Sequence, residues 1–204
     1  MRQRRPIFAL FVLLAAPAGA GCQSVPAEAE QCLGGQLDAP IRMDVFSDFQ
    51  CPSCRNLYLE TIRPILKDYC AQNKVCVVYH EFPLPMHAYA RDAARFSVAA
   101  QRIGRTQWQR VVDALYDKQA QWSADGKVGA VVAAVLEHGD FERVRKLRED
   151  PSIDRTVERE LALGRSREVQ STPTFFVYAI GREQKVVGGL AYPVLKQYFD
   201  RIVK

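Results

Sequence analysis

Phe46-Ser47-Asp48-Phe49-Gln50-Cys51-Pro52-Ser53-Cys54-Arg55-Asn56, or FSDFQCPSCRN, follows an apolar run and places two cysteines three residues apart. Thiols at that spacing can hold a metal, lock a local disulfide or exchange electrons. The flanking residues narrow the choice. Upstream, Ile41, Met43 and Val45 alternate behind Pro40 and read as a strand. Downstream, Pro52 stands where a first helical turn tolerates proline. Leu57, Ile62, Ile65, Leu66 and Tyr69 then recur at helical spacing, with a kink expected at Pro64. Cys51 is therefore expected where a strand meets a helix. Its sulfur would lie near the unpaired N–H groups of the first turn and the positive end of the helix dipole, both of which favour thiolate. Cys54 falls one turn on, on the same face, within disulfide reach and deeper. One activated and one resolving thiol is the asymmetry that exchange through a mixed disulfide needs. Zinc is weakened because no second C-x-x-C and no paired histidines supply further ligands. A purely structural bridge is weakened because so short a loop gains little from closure.

The rest of the chain reads as follows. KVCVVYHEF, residues 74–82, is β-branched and aromatic and predicts a second strand, parallel to the first through a right-handed crossover. A helical block is expected over about 86–169, with one helix stopping at Gly104 and the next capped by Thr106. TPTFFVYAI, residues 172–180, and EQKVVGG, residues 183–189, predict two strands close enough to pair as a hairpin, and the chain closes in a helix from Tyr192. The order is an α/β fold with helices inserted between the second and third strands.

Together, FSDFQCPSC, HEFPLPMHAYA and STPTFFV resemble the thioredoxin superfamily, and its DsbA-like branch in particular, over roughly residues 38–203. The resemblance implies a thioredoxin-like fold and a thiol–disulfide oxidoreductase. It implies a Cys51–Cys54 redox pair tuned by Pro52 and Ser53. It also implies a cis Pro173 facing Cys51, with the Thr172 backbone pairing to an extended substrate chain. No cofactor or metal is implied. The expected partners are reduced or unfolded exported proteins and a membrane partner that reoxidises the pair. Disulfide donation is the leading direction; a reductase or isomerase, or a copper-handling thiol module, is the alternative. One position departs from the family, where a buried acid is common six residues before the first cysteine: here it is Val45. The proton acceptor for Cys54 is thus unassigned. Glu81, read as an exposed strand-end residue, and Asp48, read as a turn carboxylate, are the candidates.

The N-terminus reads as an export signal over 1–21: MRQRRP is basic, and IFALFVLLAAPAGA is apolar and ends in small residues. Gly19-Ala20-Gly21-Cys22 resembles a lipobox, making Cys22 a candidate for lipidation, and 22–37 reads as a flexible tether before a domain spanning 38–204. The expected location is the bacterial cell envelope, with membrane attachment only through that lipid. Of 28 basic and 23 acidic residues, Arg2, Arg4 and Arg5 belong to the signal, so the remainder is close to neutral and gives no basis for nucleic-acid binding. A monomer is expected. In an oxidising compartment Cys70 and Cys76, flanking a helix-to-strand turn, are expected to form a structural disulfide, while Cys32 has no assigned partner. His80 and His87 read as ordinary strand and helix-start residues, His138 as a helix-end residue favoured by the dipole, and Trp108 and Trp122 as packing residues.

Overall fold

A computed structural model describes residues 31–203. The expected export signal and Cys22 lie outside the described residues. Five strands form one sheet in the order β1-β3-β2-β4-β5, with β1 at Cys32–Gly34, β2 at Ile41–Ser47, β3 at Val75–Glu81, β4 at Thr174–Ala179 and β5 at Arg182–Val187. β2 and β3 are parallel, as their crossover requires, and β4 runs antiparallel to β2 and to β5. The β4–β5 turn places Ile180 at φ 47° and Gly181 at φ 71°. Two successive positive φ values match the twist of a tight hairpin.

The crossover begins with α1 (Pro52–Leu57), widens into a π-type turn over Tyr58–Ile62 and continues as α2 (Arg63–Asp68). This irregular winding falls just ahead of Pro64, whose missing N–H interrupts the ladder. The inserted block comprises α3 (Ala90–Ile103), α4 (Arg105–Asp117), α5 (Gln119–Asp125), α6 (Val128–Ala133), α7 (His138–Arg148) and α8 (Pro151–Ser166), and α9 (Tyr192–Ile202) ends the described chain. Gly104 both ends α3 and precedes α4, so Thr106 lies inside the first turn rather than capping it. His138 opens α7, at the positive end of its dipole, and the dipole argument for it does not hold.

Ile41, Met43 and Val45 share one face of the sheet with Val75, Val77 and Tyr79, and join a large core with Trp108 and Trp122 of the helical block. Phe46, Phe82 and Phe176 form a second cluster on the opposite face. Gly164 lets α8 approach that cluster: a Cβ there would fall 2.4 Å from a ring carbon of Phe82.

Two expectations are corrected. Residues 32–34, placed in the tether, are strand β1, paired antiparallel to β3. The structural disulfide joins Cys32 to Cys76, not Cys70 to Cys76, and Cys70 is a buried free thiol. Strand alternation explains the exchange of partners. Cys76 points to the side where Cys32 and Val78 cluster, whereas Cys70 packs in the core behind Val75 and Val77. Burial pushes the Cys70 thiol up to about 12.

Candidate active site

Cys51 is the cap residue immediately before α1, with φ −75° and ψ 123°, and Pro52 occupies the first turn, where it withdraws no needed donor. The Cys51 N–H donates to Asp48 O at 3.1 Å, and its carbonyl accepts from Arg55 N at 3.1 Å. Gln119 Nε2 donates to Phe49 O at 2.6 Å and to Cys51 O at 3.0 Å, tying the turn to α5. Arg55 Nε donates to Tyr116 O at 3.0 Å and fastens α1 to α4. No sequence motif marks Gln119 or Arg55.

The two thiols differ sharply. Cys51 is 8% exposed and Cys54 only 1%. The Cys51 thiol is lowered from 9.0 to about 5: the hydrogen bond from Cys54 outweighs the opposing effect of burial, and the N–H groups of Cys54 and Ser53 and the Thr172 hydroxyl add to it. Cys54 moves the other way, well above the usual thiol range, chiefly by burial and then by its bond to, and the charge on, Cys51. Its sulfur accepts the Asp48 N–H at 3.5 Å. Because the folded pKa of Cys51 lies below its unfolded value, reduced protein gains stability from this thiolate. The gain is full above about 9, declines as pH falls and is gone below about 5. Urea unfolding of reduced protein across that window is expected to show this slope, and reduced Cys51→Ser protein is expected to lack it.

The Thr172–Pro173 bond is cis, as the resemblance implied, and Cys51 Sγ donates to Thr172 O at 3.5 Å. The Thr172 hydroxyl is buried without a conventional hydrogen-bond partner, so a Cys51 thiolate is the acceptor it faces. Among the described residues no cluster of three or more His, Cys, Asp or Glu side chains is placed to hold a metal. Beside Ser53, a shallow groove of about 300 Å³ is lined by Asn56, Thr61, Gly189 and Leu190.

Asp48 is an anchor of the turn. Its carboxylate accepts Gln50 N at 2.7 Å and Leu84 N at 2.8 Å, and pairs with His87 Nδ1 at 2.7 Å. His87 therefore lies in the loop that rims the site, bound to its turn. His80 is buried on β3 and stacks on Phe46 at 4.5 Å. Glu81 is not exposed as expected; it is 3% exposed, because α8 packs on β3 and Ser97 of α3 reaches its carboxyl. Burial, then the neighbouring Glu160 carboxylate, raises its pKa well above the usual range. Beneath Cys54, Ser47, Tyr79 and Tyr116 form a chain of buried hydroxyls: Ser47 Oγ and Tyr116 OH are 2.7 Å apart, and Tyr79 OH lies 2.5 Å from Tyr116 OH.

A family model described as Thioredoxin matches residues 28–184. The Probable disulfide bond formation protein D of Bacillus anthracis is 23% identical over 180 residues, spanning 83% of this chain and 77% of its own. Its Bacillus cereus counterpart is 23% identical over 150 residues, spanning 70% and 68%. Among solved structures, alpha-DsbA1 of Wolbachia pipientis has a TM-score of 0.71 at 18% identity and covers 87% of this chain and 92% of its own. DsbA2 of Pseudomonas aeruginosa has a TM-score of 0.62 at 25% identity, covering 89% and 97%.

Proposed function

This chain belongs to the thioredoxin superfamily, in the DsbA-like branch of thiol–disulfide oxidoreductases, and from that premise we propose that Cys51 and Cys54 are its redox pair and that it donates disulfides to exported proteins. The observation that carries the reading is the opposed tuning of the two thiols. A substrate thiolate attacks Cys51 of the oxidised pair, and Cys54 leaves. A second substrate thiol then attacks the mixed disulfide, and Cys51 leaves as thiolate. Oxidation of the reduced pair by a membrane-bound disulfide partner closes the cycle.

Magnitudes favour donation. Lowering Cys51 from 9.0 to about 5 raises its thiolate fraction at pH 7 from about 1% to about 99%. Over about four pKa units, however, intrinsic nucleophilicity falls by roughly 40- to 100-fold at a Brønsted slope near 0.4–0.5. Attack by Cys51 thus gains little. Departure of Cys51 gains, because a lower pKa leaves faster, and a stabilised thiolate favours the reduced enzyme. The cis Thr172–Pro173 turn meets the Cys51 sulfur, and the groove beside Ser53 lies along α1; together they offer an extended chain a place to lie. An envelope location follows from the same reading and from the export signal.

Equilibration of the pair against glutathione tests the direction. A potential towards the oxidising end of the family range, about −120 mV, is expected; one near about −270 mV would make the protein a reductase.

A further inference from the structure

The inserted helical block carries a hollow that the thiol chemistry does not use. α4 on one side, with α5 and α6 on the other, encloses a groove of about 470 Å³. That lies within the range of about 300–1,000 Å³ typical of ligand sites. We propose that this groove is a second contact for the substrate: it holds an apolar, acid-flanked segment of the same reduced chain whose cysteine reacts at Cys51. The proposal rests on the redox pair set out above and names the kind of exported chain that pair serves.

The groove arises from small side chains. Ala114 lines it from α4, and Ala130 and Ala134, one turn apart, line it from the α6 side. Larger residues would fill the space between the helices, whereas these methyl groups leave it open. Trp122 and Val131 form its apolar floor, and Trp122 is fixed by Nε1 donating to Leu115 O at 2.7 Å. The rim is fixed as well. Arg63 pairs with Asp113 at 2.9 Å and with Asp117 at 3.0 Å, and Tyr58 OH donates to Asp113 at 2.9 Å. Lys127 pairs with Asp125 at 2.9 Å. With the rim acids so engaged, Arg110 and Lys118, both exposed on the α4 edge, are the charges offered to a partner.

The occupant follows from where the groove lies. Lys118 and Gln121 line it and flank Gln119, whose amide donates to Cys51 O at 3.0 Å. Arg55 of α1 binds Tyr116 O beside them. Trp122 stands about one helical turn beyond Gln119, so a chain bonded to Cys51 reaches the groove in roughly four to six extended residues at about 3.3 Å each. A reduced, unfolded chain still has its core side chains in water, and burying them in the groove favours it over a folded protein that has none to offer. Arg110 and Lys118 add attraction for acids beside the apolar segment. A second copy of this chain is the poorer match. A stable dimer buries about 800 Å² on each partner, and a groove between helices admits only a few side chains.

Oxidation of reduced two-cysteine peptides by the oxidised full chain tests this. One peptide carries Leu-Leu-Asp about five residues from a cysteine, on either side in turn, and the control carries Ser-Ser-Asn there. For one of the two placements, KM is expected to be about tenfold below the control, with kcat unchanged. Ala134→Arg puts a long charged side chain into the groove from an exposed position and should return KM to the control value. Ala130→Lys should do the same from the preceding turn, so either variant serves if the other loses melting temperature. Exchange with glutathione, which is too small to span both sites, should stay at the parent rate in both. Lys118→Glu should raise KM for the Leu-Leu-Asp peptide by about threefold. The inference is overturned if the parent oxidises all the peptides equally, or if the preference survives both groove variants. It is also overturned if the parent sediments as a dimer that Ala134→Arg dissolves, which would make a second copy the occupant. If the parent oxidises none of the peptides, the redox-pair reading falls, and this inference falls with it.

Discussion

Cys51→Ser is expected to lower exchange with a protein disulfide or dithiol to the uncatalysed rate, a loss of at least about 10³-fold, as in other enzymes stripped of their nucleophile. Every bond change in the proposed cycle passes through the Cys51 sulfur. It is the thiol that combines access with a depressed pKa, and a serine hydroxyl in its place carries no comparable charge at neutral pH. Cys70 offers no detour. It is buried, its pKa lies at about 12, and it packs in the core behind the sheet. Activity measured with a reduced, unfolded substrate should therefore collapse in Cys51→Ser and stay near the parent value in Cys70→Ala. Retained activity in Cys51→Ser would place the chemistry elsewhere.

Removal of the Cys32–Cys76 bridge is expected to have the largest effect on stability. The bond closes a loop with a sequence separation of 44, and restricting that loop in the unfolded chain is worth about 4 kcal/mol on the chain-entropy model. It also fixes β1, a strand of three residues held at the sheet edge chiefly by its pairing with β3 and by Gln109 Nε2 donating to Leu33 O at 2.6 Å. The double variant Cys32→Ala, Cys76→Ala should lose about 10 °C in melting temperature for a domain of this size. Cys70→Ala should shift it far less. The opposite ranking, with Cys70 the sensitive position, would restore the pairing of Cys70 with Cys76.

The order of the main elements and the strand-to-helix placing of Cys51 were legible because they rest on local signals. Alternation in Ile41–Val45, Pro52 at a helix start and the proline of STPT each carry their own geometry. The parts that were hidden depend on what covers what. β1 is three residues, Cys-Leu-Gly, in a stretch beginning with polar and small residues, and only pairing to β3 makes it a strand. The choice of Cys70 for Cys76 followed spacing and ignored that β3 points its odd and even residues to opposite faces. Alternation along 75–81 would have separated Cys76 from the Val75–Val77 side. Glu81 read as exposed because the strand ends there, but α8 and Ser97 of α3, distant in sequence, close over it. Ser47 was within reach of the same reasoning, since it shares a face with Val45 on the strand that feeds the Cys51 turn. Tyr116 was not, because nothing in α4 marks which residue meets the sheet.

The most direct measurement is trapping with Cys54→Ser. Without a resolving thiol, attack at Cys51 should stop at the mixed disulfide. Incubation of this variant with a disulfide-bearing peptide, followed by mass mapping, should give one stoichiometric adduct on Cys51. An adduct on Cys70 instead, or no adduct while the parent still exchanges, would contradict the assignment of Cys51 as the attacking sulfur and Cys54 as the one that resolves it.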